Sequence, residues 1–402
     1  MAKKRVIFHI GAHKTGTTYL QSFFSLQADK LNSVGIDYPY TEPSHVTDSG
    51  ASVGNVVKIL SQHKLLKQKT GISNNSSLAK NWSSDATERL LTVAKSSKYN
   101  TILFSSEGMS VLPEQTFLDI YEKFNVHFNI EFILFVRDPF DYYYSAWRQI
   151  IKSSFSKTPF STYISHRLNK LNPQKVGMFN APRILHNHSL PHKLVNYDTY
   201  KKELPTRFLK AAKINFSPEK SAATPIQISP IHNRSLSPSE AELQLLINQQ
   251  FEGTHFPAYF RTLLLNRIKH KPITKDYFNQ ELALKIFEYH KEDIVLINSS
   301  IYGSELLSNV QEYEDTELLI EQNDITVLIN AIEFVASTKS RKKSFTDRLI
   351  HIFKTTVLRN VPFDFDPEAY LLMNGDVKSS NIGPYLHYSR NGHMEGRPYR
   401  FI

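Results

Sequence analysis

The chain has no cysteine among its 402 residues, and that absence removes several classes of protein at once. No disulfide framework can form, thiolate zinc sites are excluded, and no redox compartment is demanded. Long apolar runs are missing too. No stretch approaches the ~20 apolar residues of a membrane-spanning helix. The apolar run behind Lys3, Lys4 and Arg5 is too short for a signal peptide. There is no HExxH, no EF-hand loop, no helix-turn-helix, no RNA-recognition signature and no zinc finger. What is present is a composition of 41% hydrophobic and 21% charged residues, as in soluble globular proteins, with a net charge of +10. Such a basic chain suits anionic lipid, nucleic acid, or a polyanionic cofactor and acceptor. Tyr and Phe are spread along the chain rather than set on a basic ribbon, which sets nucleic acid aside.

The most informative stretch lies near the N-terminus. Val6-Ile7-Phe8-His9-Ile10 reads as a buried strand, with His9 as a packed, hydrogen-bonded histidine. It runs into Gly11-Ala12-His13-Lys14-Thr15-Gly16-Thr17-Thr18, and then into Tyr19–Phe24 as the start of a helix. A strand, a Gly-containing loop with a lysine and hydroxyls, and a helix form an anion cradle. Backbone N–H groups and the helix dipole point at the negative charge. A plain strand-to-helix turn is the alternative. The common triphosphate loop is G-x-x-x-x-G-K-[ST]. Here Lys14 precedes the second glycine, Gly16, and the hydroxyl pair follows it. This order resembles the 5′-phosphosulfate loop of sulfotransferases that use 3′-phosphoadenosine 5′-phosphosulfate (PAPS). The resemblance implies that Gly11, Lys14, Thr15, Gly16, Thr17 and Thr18 bind the 5′ end of the cofactor, with Lys14 on the bridging oxygen.

A second apolar run, Glu131–Val136, ends in Arg137-Asp138-Pro139 and enters a helical stretch through Tyr142, Tyr143, Tyr144 and Ser145. Pro139 suits the first turn of that helix. Arg offers a planar donor fork to a phosphate. The same family carries an Arg at a strand end and a Ser eight residues later as its 3′-phosphate site, and Arg137 and Ser145 match that spacing. The alternative is that Arg137 pairs with a neighbouring carboxylate and the Tyr run packs a helix. Between the two motifs, Thr101–Ser105 reads as a third strand leading to Ser106-Glu107-Gly108. The resemblance places the general base here, and Glu107 occupies the position. A carboxylate in reach of an acceptor hydroxyl can take its proton, although the role calls for burial of an otherwise weak base. A Glu capping the next helix or pairing with Lys14 is the alternative reading, and His13 is the other candidate base.

Ile231-His232-Asn233-Arg234-Ser235-Leu236-Ser237-Pro238 looks like a string from bacterial carbohydrate sulfotransferases, which implies cofactor contacts for Arg234 and Ser235. Independently, Ser237 and Glu240 have the form of a capping box. His186, His188 and His192 cluster in a segment that reads as a polar loop, and no metal is expected. Strands near 5–10, 101–105, 131–136 and 194–197 alternate with helical stretches near 17–33, 84–97, 114–124, 141–152 and 206–212. A helix is expected near 53–68, and helices resume over 239–300. The fold class expected is α/β: a P-loop-like parallel sheet flanked by helices, plus a helical C-terminal extension.

Three parts are expected: a PAPS-binding domain over 1–300, a helical linker or extension over 301–362, and a small module over 363–402. In the linker, Phe345, Leu349, Ile352 and Phe353 fall at helical spacing beside Arg348 and Lys354. A basic amphipathic helix of this kind either packs on its own protein or touches an anionic membrane surface. The last part, from Phe363-Asp364-Phe365-Asp366-Pro367 to His387-Tyr388 and Glu395-Gly396-Arg397, resembles a module of bacterial glycan-related proteins and reads as two short helices joined at a Gly-containing turn. Together the resemblances imply in-line sulfuryl transfer from PAPS to a carbohydrate hydroxyl or amine. PAP is released, no metal takes part, Glu107 serves as base, and Lys14 stabilises the leaving group. The expected location is cytoplasmic, with peripheral contact at the inner membrane face as an option. A P-loop nucleotide kinase, or a nucleotide- or glycan-binding protein without catalysis, are the other readings. The kinase reading lacks a Walker-type lysine after the second glycine.

Overall fold

The computed structural model describes residues 3–12, 14–39, 54–62, 82–170, 177–216, 235–252, 256–266, 279–303, 307, 362, 367–379 and 387–399. The chain divides into two compact units. One comprises 1–146, 160–233 and 279–314, and the other 147–159, 234–278 and 315–402.

The first unit is built on five parallel strands in the order β2-β3-β1-β4-β5. These are β1 (Lys4–Gly11), β2 (Ile36–Asp37), β3 (Thr101–Ser106), β4 (Phe128–Val136) and β5 (His192–Asn196). The strands read as apolar runs rather than alternating ones because both faces of the sheet are covered. On one face the Phe8 ring lies 5.4 Å from Phe104 and 5.5 Å from Phe132, and Phe124 meets it edge-on. Phe124 comes from α5 (Glu114–Asn125), which follows α3 (Asn55–Gln62) and α4 (Ser84–Ser96) in the chain. On the other face Ile7, Leu103, Ile133, Phe135 and Val195 are sealed by α1 (Thr17–Leu26), α2 (Ala28–Ser33) and α10 (Leu204–Ala211). The short helix α9 (Tyr197–Tyr200) precedes α10.

The strand order makes β1 the place where the topology reverses. The chain leaves β1 for the far edge strand β2, and later returns from β3 across β1 to β4. In open parallel sheets the crevice outside the carboxyl ends at such a point is where ligands bind.

Two features were not expected from the sequence. β2 pairs only with Thr101 and Ile102. Beyond it the side chain of Asn55 continues the ladder: its Nδ2 donates to the Leu103 carbonyl at 2.9 Å, and its Oδ1 accepts from the Ser105 N–H at 2.8 Å. Gly54 permits this approach, since a Cβ there would overlap the Ser105 carbonyl. Second, the region 153–193 contains α7 (Phe160–Lys170) and α8 (Gly177–Asn187), so His186 is helical rather than in a polar loop. Its amphipathic face was hidden by Pro182 inside the helix.

Helix α6 (Pro139–Ser153) starts in the first unit, where a buried polar chain fixes it. Tyr143 Oη meets His290 Nε2 at 2.9 Å, His290 Nδ1 meets Asp293 at 3.1 Å, and Arg183 Nε donates to Asp293 at 3.1 Å. His290 and Asp293 lie where α13 (Gln280–Tyr289) passes into α14 (Lys291–Ser300).

The second unit contains α11 (Pro238–Gln250) and α12 (Phe256–Asn266). Asn248 Nδ2 donates to the carbonyls of Ile151 and Ser156, at 3.1 and 2.9 Å. The Ser237–Glu240 capping box is formed in both directions. The C-terminal segment has the two expected helices, α15 (Pro367–Met373) and α16 (Gly375–Ser379), followed by a π-helical turn over Tyr388–Gly392. Tyr370 is its centre, bonded to His387 Nδ1 at 2.8 Å and packed edge-on against Tyr388. Arg397 reaches both oxygens of Asp376, at 2.8 and 2.7 Å. The amphipathic stretch expected over 345–354 lies outside the described residues. Among the described residues no helix is long and apolar enough to cross a membrane.

Replacing Asn55 with Ala strips the buried Leu103 carbonyl and Ser105 N–H of their partners. Stability is expected to fall by about 2 kcal/mol or more, read by urea unfolding.

Candidate functional site

The carboxyl ends of β1, β3, β4 and β5 deliver the loop, Glu107, Arg137 and Asp198 to one end of the sheet. The loop after β1 is wound on the Ala12 carbonyl, which accepts from Thr15 Oγ1 at 2.7 Å and from Thr17 Oγ1 at 3.4 Å. Gly11 leaves the space that Thr17 fills, since a Cβ on Gly11 would overlap it. Lys14 and Gly16 both take left-handed backbone conformations, with φ of 67° and 72°. Gly16 is the N-cap of α1 and supplies no side-chain cap, and the first turn of α1 carries no acid. The first amides of this helix therefore keep their donor capacity and positive end for an anion. Thr15 and Thr17 are buried, while Lys14 and Thr18 are half-buried. His13 lies outside the described residues.

Arg137 sits one residue beyond β4, and its side chain is 11% exposed. Its Nη1 donates to the Lys14 carbonyl at 3.0 Å, which joins the two sequence motifs directly. Its Nη2 bonds Asp198 Oδ1 at 3.0 Å and lies 3.4 Å from Asp141. The guanidinium also lies 5.0 Å from the centre of the Tyr197 ring. Arg137 thus has the carboxylate partners that its alternative reading foresaw, and it is tied to the loop as well. Asp141 and Ser145 are four residues apart on α6 and share a face, so the buried Ser145 lies one turn along from the acid that pairs with Arg137.

Glu107 follows β3 and opens a 3₁₀ turn over Gly108–Val111. Its carbonyl accepts from the Ser110 N–H and hydroxyl at 3.3 and 3.0 Å. The phenol of Tyr142 lies in the combined field of Tyr163, Arg167, Glu107 and Arg137, and burial pushes its pKa up. Arg167 stacks on Tyr163, with 5.1 Å to the ring centre. Ser235 is exposed just ahead of the Ser237 cap, and Arg234 lies outside the described residues.

At this end of the sheet burial also perturbs His9 and Asp138. Burial takes the His9 imidazole down to about 3. It is neutral, bonded through Nδ1 to Ser105 Oγ at 2.8 Å and set edge-on to Phe24, Phe135 and Phe208. That is the packed histidine the sequence indicated. Asp138 goes the other way: burial, then the charge of Asp141, and further Asp198, push its carboxyl up to about 7. Its Oδ1 accepts from the N–H groups of Phe140 and Asp141 at 2.9 and 3.2 Å, so it is the N-terminal cap of α6.

Of the three histidines of the segment 186–192, the rings of His186 and His192 stay within 6.4 Å, edge to face, and each of the three has its own hydrogen-bond partner. His186 bonds Ser300, His188 bonds Glu114, and His192 bonds the Leu190 carbonyl. Among the described residues no group of three His, Asp or Glu side chains is arranged to hold a metal ion.

Asp198 and Tyr197 were missed in the sequence. The signal is one of topology: strands of a parallel sheet bring their carboxyl ends together, and once β5 lies beside β4 an acid just after β5 meets an Arg just after β4.

No protein-family model matches the chain, and no curated protein matches it. Among solved structures, it is similar to a sulfotransferase from Alicyclobacillus acidocaldarius, with 11% identity, TM-score 0.40, and coverage of 74% of this chain and 96% of that one. It is also similar to a retinol dehydratase in complex with androsterone and inactive cofactor PAP, with 14% identity, TM-score 0.31, and coverage of 72% and 80%.

The raised pKa of Asp138 gives a pH signature. The unfolded carboxyl ionises near 3.8 and the folded one near 7, so the folded chain holds an extra proton between them. Stability from this group falls as pH rises through that window. Asp138→Asn keeps a capping oxygen and removes the titration. Urea unfolding at a series of pH values should show the variant gaining on the native protein from about pH 4 to 7 and holding a constant advantage above it.

Proposed function

We propose that the protein is a PAPS-dependent sulfotransferase acting on a carbohydrate acceptor, such as a bacterial surface polysaccharide or glycolipid. The observation that carries this reading is the hydrogen bond from Arg137 to the Lys14 carbonyl. It brings a sulfotransferase-like 5′ loop and a sulfotransferase-like 3′-phosphate motif to adjacent strand ends, with the helix N-terminus beside them.

In this reading the N–H groups at the start of α1 and the hydroxyl of Thr18 hold the 5′-phosphosulfate. Arg137 and Ser145 hold the 3′-phosphate. The donor supplies an activated sulfuryl group. Glu107 takes the proton of the acceptor hydroxyl as its oxygen forms the new S–O bond. The bond from sulfur to the bridging oxygen breaks, its electron pair stays on that oxygen, and Lys14 stabilises the charge. Products are the sulfate ester and PAP. Preorganised donors aimed at the leaving oxygen are the main catalytic device in such a scheme. The base assignment to Glu107 rests on its place after β3; His13 is the other candidate.

The test is incubation with sulfur-labelled PAPS and a panel of glycans. Transfer to at least one glycan is expected, and Glu107→Gln should lower kcat by about 10²-fold or more while leaving KM for PAPS unchanged. Transfer by the variant at the native rate would remove Glu107 from the mechanism.

A further inference from the structure

Lys14 carries a side chain yet sits at φ 67°, a region that residues other than glycine seldom occupy. Something must hold it there. Its carbonyl accepts from Arg137 Nη1 at 3.0 Å, and Arg137 is in turn fixed from behind. One oxygen of Asp198 takes Arg137 Nη2 at 3.0 Å, and the other takes the Asp138 N–H at 2.6 Å. A single carboxylate thus spans the side chain of one residue and the backbone of the next, which sets the guanidinium plane relative to the end of β4. Asp198 is itself placed by Asn196, whose Oδ1 accepts from the N–H groups of Asp198 and Thr199 at 3.0 and 3.4 Å. Tyr197 covers the guanidinium, and a Cβ on Gly16 would come within 3.2 Å of its ring.

We propose that Asp198 is a positioning residue for the anion loop, acting through Arg137 on the Lys14 carbonyl. The inference rests on the nucleotide reading above and adds to it a second task for Arg137. Besides facing the 3′-phosphate, Arg137 shapes the cradle for the 5′ end. The two tasks separate experimentally, because a residue serving only the 3′-phosphate is indifferent to a ligand that lacks one.

The experiment is calorimetric titration of the full chain with adenosine 3′,5′-bisphosphate and with adenosine 5′-monophosphate. The native protein, Asp198→Asn and Asp198→Ala are compared, together with hydrogen exchange of the amides of residues 15–18 without ligand. Asp198→Ala is expected to weaken the monophosphate about tenfold, as expected when preorganisation of the 5′ cradle is lost, and the bisphosphate by at least as much. Asp198→Asn, which keeps two polar atoms, should weaken both less and is the reference should the alanine variant fold poorly. Exchange at 15–18 should speed up in both variants while their melting temperatures stay near native. Unchanged affinity for the monophosphate together with unchanged exchange overturns the relay, as does tighter binding of either nucleotide. A native protein that binds neither nucleotide overturns the nucleotide reading; faster exchange in the variants would then still support the relay as a device of the loop.

Discussion

The hydrogen bond between the Arg137 guanidinium and the Lys14 carbonyl is the constraint on which the site depends. It links the ends of two adjacent parallel strands. The loop after β1 has no side-chain cap at the helix it feeds, and it contains two left-handed residues, one of them a lysine. Left to itself, such a loop would relax. Threonines 15 and 17 secure it from within on the Ala12 carbonyl, and Arg137 secures it from the neighbouring strand. The charge this places at the sheet end is balanced by Asp198 and Asp141, while burial, and then the neighbouring Asp141 charge, raise the pKa of Asp138. The guanidinium thus carries two carboxylate partners beside the loop carbonyl it holds.

Much of this was legible in the chain. The apolar runs at 6–10, 101–105 and 131–136 became central strands because both faces of the sheet are covered, and continuous runs signal that situation. The loop and the Arg-Asp-Pro turn were visible as motifs, and so was the capping box at Ser237. Three kinds of feature were not visible. The two-residue β2 is too short for any periodicity, and its work is finished by a side chain, Asn55, at the start of an expected helix, where no sequence pattern marks a strand-like role. Helix α8 carries an internal proline and three nearby histidines, which read as loop chemistry. Asp198 is a lone acid whose meaning comes only from the order of strands in the sheet.

In the described part of the C-terminal segment, motif residues hold one another in place. His387 and Tyr388 contact Tyr370, Gly392 leaves room for the Tyr370 hydroxyl, and Arg397 binds the carboxylate of Asp376. Its motif residues are largely consumed in holding one another, as a unit with a core of only a few side chains requires. Within the motif, Leu372 and Met394 are exposed apolar side chains.

In the proposed function, the loop after β1 and Arg137 form one site for a nucleotide with phosphates at both ends. A crystal structure of the protein with adenosine 3′,5′-bisphosphate tests this most directly. The expected result is the 5′-phosphate within hydrogen-bonding distance of the N–H groups of residues 15–18, and the 3′-phosphate on Arg137 and Ser145. A nucleotide bound elsewhere, or with its 5′-phosphate turned away from the loop, would contradict it.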